Sequence, residues 1–372
     1  MNPLAATLRR HLAEEIGIPA WKLAVRMVPR ELFVGDTIFR HGPSGWIRVR
    51  SSEMSREEWL TLVYSDQPLV TQVAGVMADD DGDTSGVLRP TSSSTQPSLV
   101  VRMLNYAGVV GGDRVLEIGT GTGYSTALLC HRIGSRAVTS VEVDPAVAER
   151  AKTSLTVAGY TPTLVVGDGL DGYEERAPFD RLIATCAVRS IPPAWLRQVR
   201  PGGTITTPML GWTGGAGLAH LRVAADGTAS GGFGEPVFFM PARAHAAPRL
   251  DGMELGGGDV TRTSMDPALL TSDMGLFVAQ LGAPQAQHAW AEDILTLHDP
   301  ISGSHADVRP STDGGWVVHQ YGPDRLWDEV EQALETWLDV GKPDRSGFTL
   351  AVSPERQTVT LVAAGASWDL PM

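Results

Sequence analysis

Arg114 to Tyr124 reads RVLEIGTGTGY, an apolar run that ends in an acid and then sets glycines at alternate positions, Gly119, Gly121 and Gly123. The helix-like segment STALLCHRI follows at once. This is the order found where a strand of an open α/β sheet stops, the backbone turns tightly and a ligand rests on bare peptide N–H groups at a helix N-terminus. Glycine is needed there because a β-carbon would obstruct the turn or the ligand's close approach.

The spacing separates two ligand classes. Dinucleotide turns usually read G-x-G-x-x-G, which suits a pyrophosphate. Here the pattern is G-x-G-x-G behind Glu117. A carboxylate beside the turn repels a pyrophosphate and attracts a free ammonium, so a zwitterionic amino-acid ligand is favoured, and S-adenosylmethionine fits. The next strand, AVTSVEVDP, brings Glu142 to its C-terminal end, suited to accept from two ribose hydroxyls. A third, TLVVGDG, ends at Asp168, suited to an adenine amino group. Singly, each acid reads equally well as a helix cap or a solvated loop residue. Three successive strand ends with an acid on one edge point to a ligand site. The expected cofactor set is Glu117, Gly119, Thr120, Gly121, Gly123, Tyr124, Glu142, Asp168 and Gly169.

Outward from that stretch, strands are expected near 114–118, 137–143, 163–166, 180–185 and 203–208, with helices near 97–107, 124–133, 145–158 and 192–199. Strand and helix alternate as in a parallel sheet. LAHLRV and GEPVFFM read as an antiparallel pair closing the sheet edge. The expected fold is α/β, that of class I S-adenosylmethionine-dependent methyltransferases. It is Rossmann-like, with a mostly parallel seven-stranded sheet and an antiparallel edge hairpin. A helical N-terminal segment precedes this core and a small α+β region follows it. Residues 1–96 form the N-terminal segment and substrate loop, 97–241 the cofactor-binding core, and 242–372 the C-terminal extension. Within the extension, ARAHAAPRLDGMELGGGD reads as a linker, and WVVHQYG, SGFTLAVSP and QTVTLVAA read as strands. In DRLWDEVEQALETWLDVG, Leu326, Val330, Leu334 and Leu338 recur at helical spacing, so the neighbouring Trp327 and Trp337 read as core.

The chain has 372 residues and a formal charge of −13. An acidic surface repels phosphate backbones, so nucleic acid is a poor partner and a peptide a better one. ADDDGDTSG, between Val73 and Pro90, reads as an exposed acidic loop, solvated rather than a clamp for a cationic peptide. No apolar run is long enough to span a membrane, and MNPLAATLRRHLAEEIG reads as an amphipathic helix without a secretory apolar core. Cys130 and Cys186 are the two cysteines. Isolated thiols imply a reducing cytoplasm, with no disulfide framework and no metal site, and ordinary packing for both.

The ordered motifs VPRELFV, YSDQPLVTQ, STQPSLVVRML, VLEIGTGTGYSTALL, GDGLDGYEERAPFDRLI and IPPAWLRQVRPGGTITTPM, from about Val28 to Pro241, resemble the protein-L-isoaspartate O-methyltransferase family. The resemblance implies methyl transfer from S-adenosylmethionine to a side-chain carboxylate, leaving S-adenosylhomocysteine. It places STQP in the family's substrate loop, with Thr95 expected to hold the acceptor carboxylate and Ser94, Gln96 and Ser98 in support. Alone, these residues read as a serine-rich turn capping the helix that starts near Pro97.

Three features depart from the family pattern. The acidic stretch intervenes before the substrate loop; the loop, TSSSTQPS, is hydroxyl-rich and lacks the histidine or aromatic residue often found after its proline; and the chain runs on well past the core. The tail LWDEVEQALETWLDVGKPDRSGFTLAVSPERQTVTL is similar to that of a peptide-tailoring branch, methyltransferases associated with ATP-grasp ligases that cyclise ribosomal peptides. That resemblance implies a macrocyclised precursor peptide as partner and esterification of an ordinary aspartate, which then closes to an aspartimide.

Overall fold

A computed structural model describes residues 3–86, 88–249 and 258–372. Of the linker-like stretch, residues 250–257 lie outside the described residues. The chain packs as two compact units. One runs to Thr185 and includes Arg197–Thr206; the other comprises Cys186–Leu196 and Thr207 onward.

In the first unit the parallel strands lie in the order Thr163–Val166, Val138–Glu142, Val115–Ile118, Phe179–Ala184, then the strand beginning at Val199. Val115–Ile118 is central and wholly buried, which explains its unbroken apolar character. Helices Pro97–Tyr106, Tyr124–Ile133 and Pro145–Val157 fall at the expected places. The chain leaves Val115–Ile118 toward Val138–Glu142 on one side, and Phe179–Ala184 lies on the other. The carboxyl ends between them therefore form the crevice in which open α/β sheets bind ligands.

The N-terminal segment has the expected helices, among them Pro3–Ile16, Pro19–Met27 and Arg56–Val63. It also contains an antiparallel sheet of five short strands: Thr37–Gly42, Gly45–Arg50, Leu69–Val73, Val76–Met77 and Pro90–Ser94. The hairpin signal is the run Gly42, Pro43, Ser44, Gly45, with Gly45 at φ 124°. The strands around it are too short and too charged to stand out from a helical pattern.

In the second unit, Ala216–Val223 pairs with Ala229–Phe233. The expected hairpin exists, but its second strand is ASGGF rather than GEPVFFM, which carries no strand. Gly231 is needed at the pairing: a Cβ there would stand 1.9 Å from the His220 carbonyl oxygen. Two consecutive glycines conceal this strand from propensity, while Pro236 disfavours the alternative. Nor is the hairpin an edge, because Phe348–Val352 pairs with Ala229–Phe233 and is followed by Gln357–Leu361 and Ala366–Asp369. A separate antiparallel sheet runs Asp259–Thr263, Trp316–Tyr321, His305–Pro310, Ile294–His298, Gln287–Ala291. Helix Leu326–Asp339 buries Leu326, Trp327, Val330, Leu334 and Trp337 as expected.

Candidate active site

The glycine turn closes the gap between two neighbouring strands. Gly119 N–H donates to the Val141 carbonyl at 2.8 Å, and Gly123 N–H to Thr120 O at 2.9 Å. Gly119, Gly121 and Gly123 have φ of 89°, 53° and 88°, left-handed conformations that explain the alternating glycines. The Thr120 and Ser140 hydroxyls lie 2.6 Å apart. Gly169, at the end of the third strand, is buried, and a Cβ on it would stand 2.3 Å from Ile118 Cγ2. No side chain other than hydrogen fits there.

Glu117 is fully buried. Its Oε2 accepts from Thr126 Oγ1 at 2.5 Å and Ser140 Oγ at 2.7 Å. Its Oε1, also buried, has no hydrogen-bond partner. Burial pushes the carboxyl above the ordinary range, with hydroxyl hydrogen bonds only partly opposing it. Glu142 accepts Gly121 N–H at 2.8 Å on Oε2 and Asp144 N–H at 3.1 Å on Oε1, so its carboxylate is fixed at the turn. Asp168 is exposed and accepts from Leu170 N–H at 2.9 Å, which makes it both a cap and an available acceptor.

Tyr124, at the first position of its helix, is buried edge-on to Phe33 with ring centroids 6.0 Å apart. Its hydroxyl has no hydrogen-bond partner. Burial pushes the phenol up to about 12, with Arg30 opposing, so it stays protonated and can only be a neutral donor or acceptor.

The substrate-loop residues separate into distinct surroundings. Ser94 is buried, with Oγ accepting from Arg30 Nε at 3.3 Å. Gln96 Nε2 donates to Asp66 Oδ2 at 2.9 Å and to Ser98 Oγ at 3.1 Å, and Ser98 N–H donates to Asp66 Oδ1 at 2.8 Å. Thr95 is half-buried, and among the described residues its hydroxyl has no hydrogen-bond partner. The loop lies against the glycine turn: the Cβ position of Gly121 is 3.7 Å from Ser93 O. Arg30 and Asp66 were not singled out by sequence. The available signals were an arginine inside the apolar VPRELFV and an acid two residues before Pro68 in YSDQP.

Cys130 is buried and its thiol is pushed up to about 12 by burial, consistent with packing alone. Among the described residues no cluster of acids, histidines and cysteines could hold a metal ion. No described helix is long and apolar enough to cross a membrane.

The donor set suits S-adenosylmethionine. An unsatisfied buried carboxylate oxygen at Glu117 calls for a cation such as the ligand's ammonium. The left-handed turn at Gly119, Gly121 and Gly123 exposes backbone at the strand end. Together with the crevice at the strand reversal, this defines an S-adenosylmethionine-dependent methyltransferase of class I.

Residues 49–246 match the profile of the protein-L-isoaspartate(D-aspartate) O-methyltransferase family. A protein-L-isoaspartate O-methyltransferase of Ignicoccus hospitalis is 40% identical over 188 residues, covering 50% of this chain and 71% of that one. A second, from Anaeromyxobacter sp., is 34% identical over 222 residues, covering 59% and 82%. A solved protein-L-isoaspartate O-methyltransferase aligns over 95% of this chain and 98% of its own, with 20% identity and a TM-score of 0.54. The chain belongs to this family and is an S-adenosylmethionine-dependent protein carboxyl O-methyltransferase. The long C-terminal extension is not in itself a departure, since the solved chain aligns across nearly the full length.

Proposed function

We propose that the acceptor is an aspartate side chain in a macrocyclised, ribosomally made peptide, and that its methyl ester closes to an aspartimide. When bound, S-adenosylmethionine supplies an electrophilic methyl. A carboxylate is already a nucleophile at neutral pH, so no strong general base is required. The protein's task is orientation and exclusion of water. In this reading Glu117, Glu142 and Asp168 hold the ammonium, ribose and adenine, with Gly119, Thr120, Gly121, Gly123, Tyr124 and Gly169 shaping the pocket. The Thr95 hydroxyl, unclaimed by the protein, faces the acceptor carboxylate, while Ser94, Gln96 and Ser98 fix the loop. One carboxylate oxygen gains the methyl as its bond to sulfur breaks. The following backbone nitrogen then attacks the ester carbonyl; its proton leaves with methoxide as methanol.

The observation that carries this reading is the sequence of the tail, since its length is shared with a solved protein-L-isoaspartate O-methyltransferase. The segment that resembles the peptide-tailoring branch folds into the second unit through helix Leu326–Asp339 and strands Phe348–Val352 and Gln357–Leu361. We assign residues 242–372 to peptide recognition on this basis. The second reading is repair of isoaspartyl residues, favoured by the names of the relatives. Intact-mass spectrometry of a cyclised precursor and an isoaspartyl peptide, each incubated with enzyme and S-adenosylmethionine, separates the two. Methyl gain on the precursor followed by methanol loss supports tailoring; turnover of the isoaspartyl peptide alone establishes repair and overturns it.

A further inference from the structure

Arg30 is wholly buried, and among the described residues its hydrogen bonds go to carbonyls and one hydroxyl. Nη1 donates to the carbonyls of Val63 at 2.6 Å and Ser65 at 2.9 Å. Nη2 donates to Gln67 O at 3.0 Å, Ser94 O at 3.2 Å and Thr95 O at 3.3 Å, and Nε to Ser94 Oγ at 3.3 Å. Every hydrogen-bond partner lies in one of two segments, the turn at 63–67 or the substrate loop at 94–95, and the guanidinium also lies over the Tyr124 ring, 5.9 Å from its centroid. A planar fork with five N–H donors can join the two in this way, whereas the lysine ammonium has three donors at one point. Asp66, in the same turn, joins the same segments from the other end through Gln96 Nε2 and Ser98 N–H. Burial pushes the Asp66 carboxyl up, but the bonds from Ser98 and Gln96, with help from Arg30, outweigh that and hold it below its ordinary value.

The substrate loop is therefore held at both ends, by a cation under Ser94 and Thr95 and an anion under Gln96 and Ser98. In between, the Thr95 carbonyl is pinned inward and its hydroxyl is left unclaimed. We propose that Arg30 and Asp66 are positioning residues for the acceptor: they set the direction of the Thr95 hydroxyl without touching cofactor or substrate. The proposal needs only the family's methyl transfer and does not depend on which acceptor is native.

The test uses the full-length enzyme, with whichever of the isoaspartyl peptide and the cyclised precursor it methylates. Arg30→Lys and Asp66→Asn are each expected to lower kcat/KM for the acceptor about tenfold or more, as misorientation does, while the calorimetric Kd for S-adenosylmethionine stays within about twofold. The double variant should lose little more than the worse single one, because both act on one loop. Asp66→Glu should recover part of the loss. Equal loss of cofactor affinity and acceptor turnover, or fully additive losses, would overturn the proposal. So would acceptor kinetics within about twofold of the native enzyme. Should Arg30→Lys fail to fold, the half-exposed Asp66→Asn and Asp66→Glu pair decides the matter by the same readouts.

Discussion

At the scale of single residues, the buried carboxyl of Glu117 ties stability to pH. Burial raises its carboxyl, so the folded chain binds that proton more tightly than the unfolded chain does. Stability contributed by the group therefore falls as pH rises from the unfolded carboxyl value through the raised folded one. Glu117→Gln removes the buried charge. Thermal melts of the ligand-free variant should exceed those of the native chain at neutral pH, and the gap should close as pH falls below about 4, where the group is protonated in both states. Titration calorimetry should show the opposite for function, with S-adenosylmethionine affinity at neutral pH reduced about tenfold or more. Thr95→Val is expected to leave that affinity intact and to lower acceptor turnover by about tenfold to a hundredfold in initial-rate assays. The acids Glu117, Glu142 and Asp168 stood out in the sequence because they recur at successive strand ends. Arg30 and Asp66 did not, because most of their partners are backbone carbonyls and an N–H group, which leave no trace in residue identity.

At the scale of elements, the strand–turn–helix units explain why glycine sits where it does. Gly169→Ala would drive a methyl into Ile118 at the centre of the sheet, with a stability loss of about 1–3 kcal/mol, the usual cost of overpacking. Denaturant titration should show the shift in midpoint, and cofactor affinity should fall with it, because Gly169 adjoins the expected adenine acid Asp168. The central parallel strands were readable nearly to the residue: Val115–Ile118 and Val138–Glu142 are wholly buried and fall within one residue of the expected bounds. Burial on both faces gives such strands continuous apolar runs with sharp ends. The antiparallel strands were harder to read. Ala229–Phe233 has almost no side chains, and Asp259–Thr263 is mostly exposed, so neither advertises a period of two.

At the scale of the whole molecule, the extension is part of the architecture and not an appendage. Phe348–Val352 covers Ala229–Phe233, and Gln357 exchanges two hydrogen bonds with Ile191, both at 2.7 Å. Arg189 stacks on Trp212 at 3.5 Å and donates to Pro284 O at 2.8 Å. A fragment ending at residue 241 should therefore expose a bare strand edge and aggregate, which light scattering would detect. Because of this pairing, such a truncation reports on folding and does not discriminate between acceptors. The choice between acceptors rests on direct mass measurement. The same pairing has a consequence for biosynthesis. As the nascent chain leaves the ribosome, Ala229–Phe233 emerges long before the segment that covers it. Its outer hydrogen-bonding groups must wait, solvated or chaperoned, until residues 348–352 have been translated. Completion of this sheet thus waits on the emergence of residues 348–352, more than a hundred residues after the strand they cover.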